Sequence, residues 1–366
     1  MTRKVLLSAL ALGTLLSAAV VGFFAFRDRL ADKALPFLMA RGTALSEQQA
    51  ERLERDVEAA PHDFADRIEL LYFYSFRHSS GLTPDELANR RKHILWVIAN
   101  EASSAFAGDP AMEFYPKGEE PDPEGIEQAQ RLWLSQIGKK PANSRILYNA
   151  GEFFSSIHEY PQSEELLERA RTIDPSAYDI ASSLATDYWH DARYAATSDQ
   201  FRTLSVKALG VFEQAIKNAH GKEERRFVLP YAAQAAIEAG ETAKATSWSR
   251  EMLTMAEAPE EGRDYSDEIH YGNIVLGRIA LQQGDVDGAA AHLVKAGGIS
   301  GNPHLDTFGP NMILAKELLE KGDNKPVLEY LEACSKFWKS DDGKLATWRS
   351  DIVAGKTPDF GPNLHY

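Results

Sequence analysis

The side chains that most often carry out catalysis are scattered through this sequence. Its ten histidines occur singly, with no HExxH motif and no two histidines spaced to place metal ligands on one helical face. The sequence also contains no GxSxG, GxxxxGK or GxGxxG motif. Its closest approach to a phosphate-binding loop, Gly297–Gly301, lies between helical segments without a preceding strand, so we interpret it as a connecting loop. The sequence therefore predicts a protein that is not an enzyme and holds no cofactor or metal.

Composition narrows the classes of partner. The chain carries a formal net charge of −14, which argues against sequence-independent binding to nucleic acid, because such binding depends on lysine and arginine. Cys334 is the only cysteine, so an intramolecular disulfide is excluded. Its position on the apolar face of a predicted helix favours a small buried hydrophobic residue.

The N-terminus begins with a long apolar segment. Residues 5–26 carry no charge, and about 20 apolar residues at a rise of 1.5 Å each can cross a bilayer. We therefore expect residues 1–26 to form a transmembrane anchor, with the rest of the chain exported as a periplasmic or extracytoplasmic solenoid. The alternative is a signal segment cleaved near Ser17–Ala19, which would leave a secreted or periplasmic protein.

The sequence predicts a divergent helical region over residues 27–143. Ser46–Gln49 has the form of a capping box, and Thr83–Glu86 places proline and carboxylates in a first helical turn. Between them, Phe64–Arg77 reads as a helix rich in aromatic residues. Residues 108–125 are rich in proline, glycine and acidic residues, so we expect an exposed loop there.

From residue 144 onward, apolar residues recur in pairs of helical segments. In one copy, Gly277 and Ala280 share a helical face, Gly284 can end that helix and Asp285 can cap the next one. Because such a hairpin cannot bury its own apolar face, it predicts neighbours of the same kind. Five copies are recognisable, and their markers in chain order are Leu147 with Ala170, Leu184 with Ala208, Leu229 with Ala245, Gly277 with Ala289, and Leu314 with Val327.

These residues resemble the tetratricopeptide repeat (TPR) superfamily, whose unit of about 34 residues pairs two helices through small and large apolar residues at fixed offsets. The resemblance covers about residues 144–338, although the first-position tryptophan is absent and the spacing between copies varies. It implies an all-α fold, a TPR-like α-α superhelical solenoid over residues 144–340. Residues 341–366 would then form a capping helix and an extended tail.

The resemblance also implies a function. TPR arrays line a concave groove with the first helix of each repeat, and that groove binds a protein or peptide segment. The groove positions that could anchor a partner here include aromatic and methionine side chains, expected to be exposed, and two cations. They are Tyr148, Glu152, Trp189, Tyr271, Ile274, Arg278, Met312 and Lys316. The sequence equally allows several of them to pack against the adjoining repeat instead. We therefore expect a non-catalytic adaptor or scaffold that binds a protein partner.

Two alternatives remain open. The aromatic-rich residues 64–106 could form a ligand-binding or enzymatic pocket lined by Tyr72, Tyr74, His78 and Trp96. A hydrophobic junction between the anchor and the repeats would explain the same residues. The solenoid could also be a structural protein that associates with itself as a homo-oligomer.

Overall fold

The computed structural model describes residues 34–77, 81–114, 122–195, 197–260 and 262–364, and these residues form helices and loops without a β-strand. Their contacts divide the chain into two compact units, unit 1 up to Pro175 and unit 2 from Ser176 onward. This division falls inside the predicted repeat region. The boundaries predicted at residues 26, 143 and 340 stay predictions.

Unit 1 is a series of helices in which each member from the second to the sixth packs against the next. The capping box predicted at Ser46 is present, and the helix start predicted at Thr83 has a capping box as well; in each, the side chain accepts the backbone N–H three residues on. The helices are residues 34–43 (α1), Glu47–Ala59 (α2), Phe64–Arg77 (α3), Pro84–Asn100 (α4), Pro123–Lys139 (α5), Ser144–Ser156 (α6) and Tyr160–Ile173 (α7).

The segment between α4 and α5 is more buried than the sequence suggests. Two short 3-10 turns, Ala105–Gly108 and Pro110–Met112, direct apolar side chains inward, and Met112 and Phe114 are both buried. The Arg90 guanidinium donates to the backbone carbonyl oxygens of Ala111, at 3.2 Å, and of Glu113. The prediction of an exposed loop is therefore wrong for residues 108–114, while residues 115–121 lie outside the described residues.

Unit 2 is built from helical hairpins, as the repeat pattern predicts. The two helices of each hairpin pack together, and the second helix of one hairpin packs against the next hairpin. Their helices are Tyr178–Arg193 (α8), Ser198–Asn218 (α9), Lys222–Glu238 (α10), Thr242–Glu257 (α11), Ser266–Gln282 (α12), Val286–Gly297 (α13), Pro303–Phe308 (α14), Ile313–Glu320 (α15), Asn324–Cys334 (α16) and Lys344–Val353 (α17). The described helices confirm an all-α helical solenoid of TPR-like hairpins.

Unit 2 also contains one helix that the sequence predicts, α17, and one that it does not, α14. The predicted C-terminal helix is present as α17 and packs against α16. The short helix α14 was not predicted, because its residues follow the glycine-rich sequence that we interpreted as a connecting loop. Cys334 is fully buried, as predicted.

The turn between α12 and α13 has the glycine conformation and the helix cap that the sequence predicts. Gly284 has a φ of +84°, a conformation that costs glycine little and other residues more. The Asp285 side chain then caps α13 by accepting the Gly288 N–H at 2.8 Å.

Gly277 allows α12 to approach its neighbours closely. A Cβ built on this residue would overlap Leu314 Cδ2 and would lie 3.0 Å from His292 Cβ and 3.3 Å from the Ala289 carbonyl oxygen. The contacts with His292 and Ala289 cannot be relieved by rotating the end of a flexible side chain. Gly210 on α9 is the opposite case, because it is exposed and a Cβ there would meet no atom within 4 Å.

No helix in the described part of the chain is both long and apolar enough to cross a membrane. The prediction of a membrane protein with an exported solenoid is overturned by this finding. Residues 1–26, on which the anchor and the cleaved-signal alternative both rested, lie outside the described residues.

The two glycines give a matched test of helix packing. Gly277→Ala should lower the free energy of unfolding by about 1–3 kcal/mol, because the added methyl group overpacks the hairpin. Gly210→Ala should raise it by about 0.5–1 kcal/mol, because alanine is the better helix former at an open site. Urea denaturation followed by circular dichroism measures both. If Gly277→Ala were as stable as Gly210→Ala, the close approach would be contradicted.

Candidate functional site

Helix α10 and helix α12 each carry four residues that lie on one face of the helix, because they are spaced four, three and four positions apart. We call these eight residues together the inner face. An ion pair joins them directly, with Arg278 Nη1 2.5 Å from Glu238 Oε1. The residues of this face are Phe227, Tyr231, Gln234 and Glu238 on α10, and Asp267, Tyr271, Ile274 and Arg278 on α12.

Residues 298–312, here called the connector, cover the part of the inner face that α12 contributes. Asn302 Nδ2 donates to Asp267 Oδ2 at 3.0 Å, and His304 Nδ1 lies 3.1 Å from Asp267 Oδ1. Leu305 is fully buried in the same apolar core as Ile274. The connector, which contains α14, is therefore an integral part of the core of unit 2.

His270 links α12 to the end of α13 and to the end of the connector. The backbone N–H of Asn311 donates to His270 Nε2 at 3.0 Å, so this nitrogen must be the acceptor. The proton then resides on Nδ1, which donates to the Ala296 carbonyl oxygen at 3.1 Å. His270 is a neutral imidazole in this arrangement, and its burial lowers its pKa from the ordinary 6.5 to about 4.

Further hydrogen bonds anchor the end of the connector. Asn311 Nδ2 donates to Gln234 Oε1 on α10 at 3.3 Å, and the Tyr330 hydroxyl donates to the Asn311 carbonyl oxygen at 2.8 Å. The Met312 N–H donates to the Asn363 carbonyl oxygen at 2.7 Å. Because buried backbone groups are costly to leave unpaired, these bonds fix the connector in one position.

Arg278, which we predicted as a cation for a partner's carboxylate, is engaged inside unit 2. Its guanidinium contacts Glu238 on α10 and, at 2.8 Å, Glu317 on α15. Burial acts to lower the pKa of Arg278, but the two carboxylates outweigh burial and raise it. The side chain is 9% exposed, so its charge serves to hold three helices together.

The structure buries most of the groove residues that the sequence predicted. Trp189 is 4% exposed and Tyr271 is 3% exposed, while Ile274 and Met312 are fully buried. The expectation that Trp189, Tyr271 and Met312 are exposed anchors is therefore wrong. For Tyr271 and Ile274 the reason is the connector, whose residues before Met312 the repeat pattern does not include; Met312 is buried in the same core as Ile274.

The remaining predicted positions are half-buried. Tyr148 and Glu152 lie on α6 in unit 1, where the Arg145 guanidinium is 5.1 Å from the centre of the Tyr148 ring. Lys316 lies on α15 in unit 2. The role of all eight predicted residues in binding a partner stays a prediction.

Exposed aromatic residues lie beside the covered part of the inner face. Phe227 is 60% exposed and Phe308 is 47% exposed. Phe227 and Tyr231 have ring centres 6.2 Å apart, and Phe308 and His304 have ring centres 5.4 Å apart. His304 in turn lies 6.3 Å from the buried ring of Tyr271. We call Phe227, Tyr231, His304 and Phe308 the aromatic row.

The buried Tyr271 ring interacts with both halves of the aromatic row. Its ring centre lies 6.3 Å from that of His304. Burial raises the pKa of Tyr271 most strongly, and Tyr231 raises it further. Burial also raises the pKa of Tyr231, whereas the Arg193 guanidinium lowers it and the Asp267 carboxylate raises it.

The aromatic row was missed at the sequence level. Its signal was present as two pairs of rings at a spacing of four residues, Phe227 with Tyr231 and His304 with Phe308. The TPR pattern assigns the groove to other positions, and it provides no helix at α14. The sequence therefore gave no reason to bring these pairs together.

The aromatic residues of unit 1 are mostly interlocked in its core. The Tyr72 hydroxyl donates to Asp109 Oδ2 at 2.8 Å, and the Tyr74 hydroxyl donates to Glu54 Oε1 at 2.6 Å. Both rings are buried. Trp96 is half-buried and borders a depression, while His78 lies outside the described residues. Tyr74 borders a different depression, beside Glu54 and Arg77, so it does not share one pocket with Trp96 as predicted.

The described residues contain no group of three or more histidine, cysteine, aspartate or glutamate side chains that could hold a metal ion. What they do contain is a stack of helical hairpins with glycine at a close helical contact. The chain resembles tetratricopeptide repeat proteins.

Two solved TPR-type structures are similar to this chain. One is a tetratricopeptide repeat protein from Parabacteroides merdae, 12% identical, with 81% of this chain and 99% of that chain covered and a TM-score of 0.38. The other is the APC/C hetero-tetramer Cut9–Hcn1, 12% identical, with 91% of this chain and 64% of that chain covered and a TM-score of 0.39. No protein-family model matches the sequence, and no curated protein is significantly similar to it.

His270 makes the stability of the protein depend on pH. Below pH 6.5, this histidine takes up a proton in the unfolded chain, while the folded protein does not bind it until about pH 4. The free energy of unfolding should therefore fall between pH 6.5 and pH 4, with His270 contributing up to about 3 kcal/mol. Urea denaturation at a series of pH values measures this slope.

Two variants isolate the contribution of His270. His270→Gln should flatten the slope between pH 6.5 and pH 4, whatever its effect on stability at neutral pH. His220→Gln, which changes an exposed histidine, should leave the slope as it is. An unchanged slope in His270→Gln would contradict the buried, neutral state of this imidazole.

Proposed function

We propose that this protein is a non-catalytic adaptor that binds a segment of a partner protein on the aromatic row of unit 2. The supporting observation is a pair of exposed phenylalanines, Phe227 on α10 and Phe308 on α14, each of which packs against a neighbouring ring. Aromatic side chains are enriched where protein interfaces bury their central contacts.

The rings suit an apolar side chain of the partner. Phe227 and Phe308 still expose about half of their surface, so a partner that covers them gains from burying apolar area. The neighbouring Tyr231 and His304 are already packed and would form a firm base. Because these side chains have few rotatable bonds, ordering them on binding costs little conformational entropy.

The charges beside the row favour a partner that also carries a carboxylate. Asp267 has both carboxylate oxygens bonded to the connector, through Asn302 and His304. Arg193 lies close enough to influence Tyr231 and Tyr271. The Arg193 guanidinium, which already has a contact within the protein, would add its attraction to a partner carboxylate placed beside an aromatic anchor.

Selection of displayed peptides on the full-length protein tests this function. We expect the selected peptides to combine an apolar or aromatic residue with an acidic one. Phe227→Ala and Phe308→Ala should each weaken binding of a selected peptide by about tenfold, in the range found for buried aromatic anchors. Fluorescence anisotropy with the labelled peptide measures the dissociation constants.

Two controls make the result specific. Val206→Ala removes an exposed apolar side chain from α9 and should leave peptide binding unchanged. Arg193→Gln should weaken binding of the acidic peptide and leave binding of its neutral amide counterpart unchanged. If Val206→Ala weakened binding as much as Phe227→Ala, the assignment would be wrong. A mass in solution that rises with concentration, and falls in Phe227→Ala, would instead reassign the row to self-association.

A further inference from the structure

Two ion pairs join α10 to α12, one near each end of the two helices. Near the starts of the helices, Arg226 Nε lies 2.5 Å from Glu268 Oε1. Near their ends, Arg278 contacts Glu238 as described above. The two helices therefore run side by side in the same direction along the inner face.

This arrangement places Tyr231 on α10 beside Tyr271 on α12. Each tyrosine precedes the ion pair of Glu238 and Arg278 by seven residues on its own helix. Because seven residues make about two helical turns, both tyrosines lie on the face that carries this ion pair, at the same level along the two helices. The effect of Tyr231 on the pKa of Tyr271 agrees with this proximity.

The hydroxyl groups of these two tyrosines have no hydrogen-bond partner in the described part of the chain. Neither oxygen belongs to the unpartnered polar atoms that are sealed from solvent, so solvent reaches both of them. The buried Tyr330 differs, because its hydroxyl donates to the Asn311 carbonyl oxygen at 2.8 Å. Since tyrosines packed into a protein usually hydrogen-bond through the hydroxyl group, these two donors are available to a ligand.

Both hydroxyl groups act as donors at neutral pH. Burial raises the pKa of Tyr231 and that of Tyr271, so neither phenol ionises. The charges that act on them have opposite signs, because the Arg193 guanidinium lowers both pKa values and the Asp267 carboxylate raises both. Both Asp267 oxygens are bonded to the connector, and Arg193 also has a contact within the protein. The pair therefore suits a neutral acceptor, such as the carbonyl oxygen of an amide.

We propose that the hydroxyl groups of Tyr231 and Tyr271 donate together to one main-chain carbonyl oxygen of the partner segment. A carbonyl oxygen has two lone pairs and can accept two donors. Tyr231 packs against Phe227 and Tyr271 against His304, with ring centres 6.2 and 6.3 Å apart, so the two hydroxyl groups lie beside the aromatic row. This inference rests on the proposed function, because it concerns the main chain of the same partner.

Replacing the main-chain carbonyl groups of a selected peptide one at a time by thiocarbonyl groups, which are weaker acceptors, tests the proposal on the full-length protein. We expect one position at which the replacement weakens binding about fivefold, as the loss of a hydrogen bond does. Tyr231→Phe and Tyr271→Phe should each weaken binding of the unmodified peptide to a similar extent. In either variant, the thiocarbonyl group at that position should have little further effect. Fluorescence anisotropy measures all of these dissociation constants.

Two other tyrosines provide matched controls. Tyr194→Phe removes an exposed hydroxyl group just after α8 and should leave peptide binding unchanged. Tyr330→Phe removes an engaged hydroxyl group and should lower the urea concentration at which the protein unfolds. Tyr231→Phe and Tyr271→Phe should not lower it, because their hydroxyl groups have no partner to lose. If Tyr271→Phe destabilised the protein as much as Tyr330→Phe, its hydroxyl group would be engaged inside the fold and the proposal would be wrong.

The possible outcomes distinguish this inference from the proposed function. Peptides that need Phe227 but bind Tyr271→Phe as tightly as the unchanged protein would overturn the inference alone. Peptides that tolerate Phe227→Ala but show the expected coupling between thiocarbonyl and tyrosine would overturn the aromatic row as the binding surface and support the two donors. Coupling of the tyrosines to the acidic side chain of the peptide, with none to any thiocarbonyl group, would identify a carboxylate as the acceptor and contradict the proposal. Failure to select any peptide would contradict both.

Discussion

The hydrogen bond from the Asn311 backbone to His270 Nε2 is the interaction on which the architecture of unit 2 depends. It satisfies a buried N–H group of the connector with a fully buried imidazole from α12. The other imidazole nitrogen bonds to the end of α13. A single neutral side chain thus joins three segments, and its removal would leave the buried Asn311 N–H without its partner, which is costly in the low dielectric of the core.

The position of the connector determines which residues of the inner face are buried and which side chains beside it stay exposed. The connector buries Ile274 and Met312 in one core, and its residues Asn302 and His304 bond to Asp267. Deeper along the inner face, the ion pairs of Arg278 tie α12 to α10 and α15. Phe227 and Phe308 remain exposed beside these covered residues, which is why we propose the aromatic row as the binding surface.

Sequence reasoning was most successful where local rules decide structure. The capping boxes, the Gly284–Asp285 turn and the helical hairpins follow from periodicity and from the few residues that can adopt a given backbone conformation. It was least successful for residues outside the repeat. Nothing in the composition of residues 298–312 indicates that they fold over α12, because that placement rests on contacts up to 77 residues apart in sequence, such as Asn311 with Gln234.

The same limit applied to residues 108–114, whose proline and glycine content suggested exposure although Met112 and Phe114 are buried. It also applied to the binding residues. The sequence identified which positions share a helical face, yet exposure depends on what other segments cover that face. The aromatic pairs at i and i+4 were visible in the sequence, but their proximity to each other is a property of the tertiary structure.

Amide hydrogen exchange of Asn311 tests most directly whether the connector is an integral part of the fold. If its N–H is held by His270 in a buried core, it should exchange as slowly as the amide of Ile274 at the centre of α12, because both then require unfolding of the same structure. Exchange of Asn311 as fast as the exposed residue Ser300 would contradict the account, since the connector would then open independently of α12.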